Sequence, residues 1–339
     1  TRTPWRTTRE KPMSNFQEMA IARAINAGLR KKMAENPKVL MFGEDVAELG
    51  GVFRVTEGLH KEFGSTRIFN SPIAESGIIG TAIGLAMRGY RPVTEIQFDG
   101  FIFPGFDQIT TQLAKMTNRS EGFHKMPVVI RVPYGGGIGA VEHHSESPEA
   151  YFAHTAGLRV VSPSNPNDAY WMIQQAIDSD DPVMFFEPKR RYWQKGPVNL
   201  DTPPLPMHSA RVLHEGHSVT IATYGPMVTV CLQAAQIAAE EGVSIEVIDL
   251  RSLSPIDYST IVESVKKTGR LVVASEAPNF VSIASEVAAR IAEQAFYHLQ
   301  APVLRVGGFD VPYPAAKLEE VYLPDADRVL EAVDRVLAY

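Results

Sequence analysis

Cysteine is almost absent from this sequence, in which Cys231 is the single cysteine among 339 residues. One cysteine excludes an internal disulfide and any metal cluster that needs several thiolates. Such scarcity is typical of proteins from a reducing compartment.

Long apolar runs and an excess of positive charge are missing as well. The longest uncharged apolar stretch, 77–87, is far shorter than the ~20 residues that a membrane helix needs, so no membrane partner is expected. The formal net charge of −6 argues against a nucleic-acid partner, which would require a basic surface.

Several common cofactor and metal motifs are also lacking. The sequence has no GxxxxGK[ST] phosphate loop, no strand-borne GxGxxG fingerprint and no HExxH zinc motif. The glycine-rich run 135–139 follows a predicted strand but enters a loop, which makes it only weak evidence for a phosphate site.

What the sequence does contain is an alternation of predicted strands and helices, in 14–190 and again in 214–339. This alternation predicts an α/β protein with two parallel-sheet domains, each covered by helices on both faces. The basic, aromatic and Pro-rich segment 191–213 is predicted to be a linker. Residues 1–13 are predicted to be a disordered arm, and Ser14 is predicted to cap the first helix.

One acidic residue stands where a predicted loop becomes a helix. Glu75 follows Pro72 and lies in an otherwise apolar segment. Partial desolvation there would raise the pKa of the carboxyl and suit it for proton transfer. The alternative, which composition alone favours, is that the carboxylate caps the helix and interacts with its dipole.

Two histidines precede another predicted helix, which starts at Ser147 and Pro148. The positive end of the helix dipole would keep His143 or His144 neutral near pH 7, and a neutral histidine at a loop tip can exchange protons with a substrate. The alternative interpretation is a pair of ordinary surface histidines.

The predicted helix after Glu75 carries Gly77, Gly80 and Gly84 on one face. Because glycine inside a helix costs about 1 kcal/mol relative to alanine, this face predicts close approach of another backbone. The sequence leaves open whether that backbone belongs to the same chain or to another subunit.

A series of short segments, taken in order, resembles one known family. The segments are 42–46, 50–58, 72–77, 95–98, 103–108, 144–150, 186–189, 246–251, 265–270 and 308–314. They resemble the beta subunit of the thiamine-diphosphate-dependent decarboxylating component of 2-oxo acid dehydrogenase complexes, from about residue 14 to the C-terminus. The branched-chain type fits best because of 95–98 and the Ser-Pro-Glu-Ala segment, and the pyruvate and acetoin types are close relatives.

The resemblance implies a transketolase-like pyrimidine-binding domain followed by a transketolase C-terminal domain. In this family the beta subunit binds the aminopyrimidine of thiamine diphosphate, and the alpha subunit holds Mg²⁺ and the diphosphate. The Gly-Asp-Gly…Asn pattern that would hold both is absent from this sequence, which agrees with that division. The implied partners are an alpha subunit, in a heterotetramer of two alpha and two beta chains, and a lipoyl-bearing acyltransferase core.

The resemblance also assigns roles to individual residues. Glu75 matches the glutamate that hydrogen-bonds N1′ of the aminopyrimidine and favours the imino tautomer, whose nitrogen takes the proton from the thiazolium C2. Ile73, Gln97 and Phe101 match positions that line the pyrimidine, and many relatives have tyrosine where this chain has Phe101. His144 matches a histidine near the reacting carbon that assists reductive acylation of the lipoyl group.

A structural potassium site is a further implication of the resemblance. Its matching positions are Val128, Ala176, Ile177, Ser179 and Asp181. Backbone carbonyl groups are suitable ligands for such a hard cation. Ser179 replaces a usual aspartate and Asp181 a usual asparagine, so the number of carboxylates is kept while their positions change.

Together these features predict a subunit for the oxidative decarboxylation of branched-chain 2-oxo acids, with acyl transfer to a lipoyl domain, active only with an alpha subunit. The alternatives are a pyruvate or acetoin dehydrogenase subunit, a transketolase-like half enzyme for sugars, and a non-catalytic scaffold that docks the complex core. The expected location is the bacterial cytoplasm or, alternatively, the mitochondrial matrix.

Overall fold

The computed structural model describes residues 15–203 and 205–339. The predicted arm and the predicted N-cap Ser14 lie outside these residues. The first element is a short strand, β1 (Phe16–Ala20), and α1 (Ile21–Glu35) follows it directly with Ala20 at its N-cap and no side-chain cap. The first helix therefore begins later than the capping pattern at Ser14 predicts.

The N-terminal part of the chain forms most of a seven-stranded sheet. Its strands here are β2 (Val39–Gly43), β3 (Ile68–Asn70), β4 (Arg91–Glu95), β5 (Val129–Tyr134), β6 (Arg159–Val161) and β7 (Val183–Pro188). The helices are α2 (Leu59–Phe63), α3 (Glu75–Met87), α4 (Ala114–Arg119), α5 (Glu149–Ala153) and α6 (Pro166–Asp178). All six strands run parallel, as predicted.

The C-terminal part forms a second, five-stranded sheet. The remaining strands are β8 (Lys195–Asn199), β9 (Arg211–His214), β10 (Val219–Thr223), β11 (Ile245–Asp249), β12 (Ser252–Ser254), β13 (Leu271–Pro278) and β14 (Leu304–Gly308). The helices are α7 (Met227–Glu240), α8 (Tyr258–Thr268), α9 (Ile283–Gln294), α10 (Glu319–Tyr322) and α11 (Ala326–Leu337). The order β14-β13-β10-β11-β9 is parallel except at the β9 edge.

Two strands connect regions that the alternation treats as separate. Strand β8 lies inside the predicted linker 191–213 and pairs antiparallel with β1. Strand β12 comes from the C-terminal part of the chain, yet it pairs antiparallel with β6 and extends the first sheet, giving the order β12-β6-β7-β5-β4-β2-β3. The segment 191–213 is therefore largely structured, and the two halves of the chain share a sheet.

Charged side chains meet inside the first sheet. Arg131 on β5 donates to Glu187 on β7 from Nε at 2.6 Å and Nη2 at 2.9 Å, and to Glu95 on β4 from Nη1 at 2.5 Å. All three residues are buried. Removing one member would leave a buried charge without its partner, which is strongly destabilising, so this network fixes three central strands relative to one another.

No helix in the ranges given above is long and apolar enough to cross a membrane. Helices α1 and α6 pack closely, because a Cβ added at Gly28 would lie 2.5 Å from Ile173 Cγ2 and 2.8 Å from the Tyr170 carbonyl oxygen. On α3, by contrast, a Cβ added at Gly80 or Gly84 meets no described atom within 4 Å. The glycine face of α3 is thus exposed, and tight packing within the chain does not explain it.

Alanine at these two helical glycines is expected to change stability in opposite directions. Gly28→Ala should lower the free energy of unfolding by about 1–3 kcal/mol, because α1 and α6 must separate to admit the methyl group. Gly84→Ala should raise it by up to about 1 kcal/mol, because only helix propensity changes. Urea unfolding of the purified chain checks both, and equal shifts for the two variants would contradict the packing described here.

Candidate active site

The carboxyl ends of parallel strands form the edge of a sheet where ligands usually bind. At this edge of the first sheet, Glu44 and Asp45 follow β2, and Gln97 and Phe98 follow β4. Glu75, the first residue of α3, lies at the same edge, after β3. The segments that the sequence analysis selected around Glu75 and Gln97 therefore come together.

Glu75 is buried, with 9% of the residue exposed, and its carboxyl oxygens keep some access to solvent. It lies in the first turn of α3, and no residue in the described ranges donates a hydrogen bond to its carboxylate. The backbone around it is tightly held, since a Cβ added at Gly105 would lie 3.3 Å from the Glu75 carbonyl oxygen. The carboxylate thus faces the helix dipole without acting as a hydrogen-bonding cap.

A second buried carboxyl group, which the sequence analysis assigned no role, lies beside Glu75. Burial, followed by the charges of Glu75 and Asp45, raises the pKa of the Glu44 carboxyl. Its Oε1 is buried without a hydrogen-bond partner among the residues that the structure places. The sequence signal was available, because Glu44 directly follows a fully buried strand.

The residues predicted to line a pyrimidine ring differ in their surroundings. Gln97 is held in place by a hydrogen bond from its Nε2 to Asp45 Oδ2 at 3.2 Å. Ile73 projects from the surface and is 84% exposed in the isolated chain. Phe101 is partly buried and packs against the main apolar core. The sheet edge thus presents a fixed amide and an uncovered apolar side chain close to the start of α3.

His144 lies at the end of a short 3₁₀ helix (Glu142–His144), against two aromatic rings. Its ring centroid is 4.3 Å from that of Phe98 and 5.1 Å from that of Phe101, both edge-on. Its Nδ1 is buried without a partner in the described part of the chain. Burial, then the charge of Lys189, lowers the pKa of His144. The structure therefore favours the neutral ring expected from the sequence, but through burial and Lys189.

A buried ion pair holds the histidine loop in position. Lys189 Nζ lies 2.7 Å from Asp99 Oδ1, and both side chains are fully buried. The other oxygen of Asp99 accepts a hydrogen bond from the Glu146 backbone N–H at 2.8 Å. Gly100 admits the loop, because a Cβ there would lie 2.6 Å from the His143 carbonyl oxygen. Asp99 and Lys189 are 90 residues apart, so local sequence patterns gave no signal of this pair.

The glycine-rich run 135–139 binds carboxylates of the chain itself. The Gly136 N–H donates to Glu276, and the Gly137 and Gly139 N–H groups donate to the two oxygens of Glu319 at 2.8 and 2.9 Å. These backbone donors face acidic groups of the C-terminal part. The run therefore joins the two halves of the chain, and the weak phosphate-site interpretation finds no support in this geometry.

The predicted potassium ligands cluster at the opposite edge of the sheet. Ala176 and Ile177 end α6, Ser179 is its C-cap, and Val128 and Asp181 precede β5 and β7. Their carbonyl groups already accept hydrogen bonds from protein donors. In the residues that the structure covers, no group of three or more His, Cys, Asp or Glu side chains is arranged to hold a metal ion.

Family models match both parts of the chain. The model described as "Transketolase, pyrimidine binding domain" matches residues 17–194. The model described as "Transketolase, C-terminal domain" matches residues 208–329. These two matches cover nearly the whole of the described structure and agree with its two sheets.

Relatives match over nearly their full length. The chain is similar to the "Pyruvate dehydrogenase E1 component subunit beta" of Leifsonia xyli subsp. xyli, with 66% identity over 97% of this chain and 98% of that protein. It is 53% identical to the "3-methyl-2-oxobutanoate dehydrogenase subunit beta" of Mycobacterium tuberculosis, over 95% of this chain and 92% of that protein. A solved structure titled "Split gene transketolase, inactive beta4 tetramer" matches with a TM-score of 0.78 and 26% identity, covering 94% of this chain and 98% of that one.

Proposed function

Because the chain belongs to the family of 2-oxo acid dehydrogenase E1 beta subunits, we propose that it is the beta subunit of a thiamine-diphosphate-dependent branched-chain 2-oxo acid dehydrogenase. The transketolase-like two-domain fold expected from the sequence is confirmed.

The observation that carries the proposal is the state of Glu75. Glu75 is a buried residue in the first turn of a helix, and its carboxyl oxygens keep some access to solvent and have no hydrogen-bond partner in the described chain. A carboxyl that is largely withdrawn from water and has no protein donor suits a ligand that offers a nitrogen. When bound, thiamine diphosphate supplies the nucleophilic carbon and the electron sink that decarboxylation needs. Glu75 would hold or share a proton at N1′ of its aminopyrimidine, where the dry surroundings strengthen the hydrogen bond.

The other predicted ring contacts fit a flat heterocycle. Gln97 is fixed by Asp45, so its amide keeps one orientation toward the site. Ile73 exposes an apolar side chain that a ring or a partner subunit would cover. Phe101 offers an aromatic edge but lacks the hydroxyl of a tyrosine, so it contributes packing and no hydrogen bond.

His144 is proposed to act after decarboxylation, when the acyl group passes to the lipoyl dithiolane. Its ring orientation is fixed by Phe98 and Phe101. The lowered pKa keeps the ring neutral until a proton is delivered to it. Such a ring can then donate that proton to the sulfur that leaves when the dithiolane opens.

We propose the partners because the described part of this chain offers no site for Mg²⁺ and the diphosphate. An alpha subunit would hold Mg²⁺ and the diphosphate, in an assembly of two alpha and two beta chains. The exposed glycine face of α3 supports a close subunit contact beside Glu75. A lipoyl-bearing acyltransferase core would accept the product. The bacterial relatives favour the cytoplasm as its location, which cell fractionation tests.

Glu75→Gln is expected to abolish most activity of the complex reconstituted with the alpha subunit, lowering kcat by at least about 100-fold, because an amide cannot share a proton with N1′. Glu293→Gln, at a side chain that is 70% exposed, is the control and should leave kcat unchanged. Oxidative decarboxylation of 3-methyl-2-oxobutanoate is the assay. If the chain were a scaffold without a catalytic role, the complex with Glu75→Gln would keep full activity. Activity of this chain without an alpha subunit would also count against the proposal.

A pyruvate dehydrogenase subunit is the second candidate, favoured by the 66% identity to a protein of that name. The branched-chain proposal predicts a kcat/KM at least about tenfold higher for 3-methyl-2-oxobutanoate than for pyruvate, since each apolar group in a fitting pocket adds discrimination. The reverse ratio would identify the pyruvate type. Turnover of a ketose phosphate by the same reconstituted complex would instead support the transketolase-like alternative.

His144→Ala should separate two half-reactions of the reconstituted complex. Reductive acylation of a lipoyl domain is expected to fall by about 100-fold or more. Decarboxylation measured with an artificial electron acceptor should fall by less than about tenfold, because it needs no proton for the dithiolane. His143→Ala, at the exposed neighbouring ring, is the matched control. Equal losses in both assays would refute the assigned step.

A further inference from the structure

The C-terminal end of α6 lies on the edge of the sheet opposite Glu75. The last carbonyl groups of a helix have no donor within the helix and lie at the negative end of its dipole. Here the chain continues through Ser179, Asp180 and Asp181 into β7, which adds two carboxylates to that negative end. The junction therefore needs positive charge and hydrogen-bond donors.

Arg91, the first residue of β4, supplies both. Its Nη1 donates to the Ile177 carbonyl oxygen at 2.8 Å and to the Ser179 carbonyl oxygen at 2.9 Å. Its Nη2 donates to Asp180 Oδ1 at 2.9 Å. One guanidinium group thus binds two carbonyls and one carboxylate, from a strand 86 residues or more away along the chain.

The other carbonyl groups predicted to ligate potassium are also occupied. The Val128 oxygen accepts from the Val183 N–H at 2.9 Å, as part of the approach to β7. The Ala176 oxygen accepts from the Ser179 N–H at 3.2 Å. The Asp181 oxygen accepts from the Ser179 hydroxyl at 3.0 Å. Each carbonyl at the five predicted positions therefore has a protein donor.

The carboxylates of this segment are neutralised by three cationic side chains. Asp178 pairs with Lys32 at 2.8 Å, Asp180 with Arg91 at 2.9 Å, and Asp181 with Arg159 at 2.8 Å. No carboxylate of 178–181 is left to balance an additional cation. A guanidinium group also keeps its charge in proteins, so a metal ion brought to the same carbonyls would be repelled.

We propose that Arg91 is a built-in cation that takes the place of the structural potassium ion at the α6–β7 junction. The residues of this chain do not fit a bound potassium ion, because its ligands and its charge are both supplied by the protein. The junction should then be stable whether or not potassium is present. This inference concerns the fold of the chain and does not depend on the substrate or on catalysis.

Thermal unfolding of the purified full chain tests the proposal at constant ionic strength in potassium, sodium or choline chloride. The wild-type Tm is expected to agree within about 1 °C among the three salts. Arg91→Ala should lower Tm in choline chloride by on the order of 5 °C, because two carbonyls lose their donor. Added potassium should restore part of that loss with saturation, since the ion can then bind the freed carbonyls.

Two further variants make the test specific. Arg335→Ala removes an exposed arginine of α11 and should show neither the loss nor a response to potassium. Arg91→Lys keeps the charge but not the fork of donors, so a small loss of Tm without a potassium response is expected. It also serves as the measurable variant if Arg91→Ala does not fold.

Three results would overturn the proposal. The first is a saturable, potassium-specific rise in the wild-type Tm. The second is an anomalous-scattering peak, in crystals of the wild-type chain soaked in rubidium chloride, within ligand distance of the Ile177 carbonyl oxygen. The third is an Arg91→Ala variant that folds and ignores potassium, because that outcome would show an ordinary helix cap with no capacity for a cation.

Discussion

The hydrogen-bonded charges around Arg131 are the constraint on which the rest of the first domain depends. Glu95 on β4 lies directly opposite Arg131 on β5, and Gly43 on β2 lies opposite Glu95, so one row crosses three strands. Gly43 has to be glycine, because a Cβ there would lie 2.5 Å from the Glu95 carbonyl oxygen. Burial raises the pKa of the Glu95 carboxyl, while Arg131 opposes that shift. A one-residue slip of β4 would break this row, and a sheet with a buried charge tolerates no such slip.

The same row determines where the candidate site lies. From Glu95, β4 leads into Gln97 and Asp99, and from Glu187, β7 leads into Lys189. The Arg131–Glu187 pair fixes the strands. The Lys189–Asp99 pair, two to four residues further along these strands, fixes the histidine loop at the sheet edge. The position of His144 therefore depends on the register of β4 and β7. Burial raises the pKa of Asp99 to about 6, with Lys189 opposing the shift, so the ion pair is held under strong desolvation.

Local sequence patterns predicted features formed within one segment of the chain. They missed the strand pairings between segments that are far apart in the sequence. The start of α6 has a local signal, because the Asn165 side chain caps the helix and Pro166 is its first residue. Strand β12 has only three residues, Ser252–Ser254, which is too short for a recognisable pattern, so its pairing with β6 has no local signal. Strand β8 also lacks a strand-like sequence, because it contains Gly196 and Pro197. Proline is tolerated there because β8 belongs to a two-stranded ribbon, in which each strand is an edge strand.

The candidate site shows the same division. The motifs around Glu75 and His144 marked both residues. The pKa of His144, however, is lowered first by burial and then by the charge of Lys189, which follows β7. Glu44 lies within the recognised segment 42–46, but the sequence does not show that burial and the charge of Glu75 together raise its pKa. A functional residue that lies within one recognisable motif can be predicted from the sequence. A property that depends on contact between two distant segments can be seen only from their packing.

The two edges of the first sheet treat buried polar groups in opposite ways. At the carboxyl edge, Glu44 Oε1, Ser71 Oγ and His144 Nδ1 are buried without partners in the described chain. At the α6–β7 junction on the amino edge, the Ala176, Ile177 and Ser179 carbonyls and the carboxylates of 178–181 have protein partners. An unmatched buried group costs free energy, so its presence needs a reason, and a bound molecule that completes it is one such reason. A side-chain cation such as Arg91 needs no such molecule, because it is attached to the chain and its binding does not depend on concentration. The α6–β7 junction can therefore support the sheet by itself, whereas Glu44, Ser71 and His144 keep unmatched groups at the edge where a cofactor would meet them.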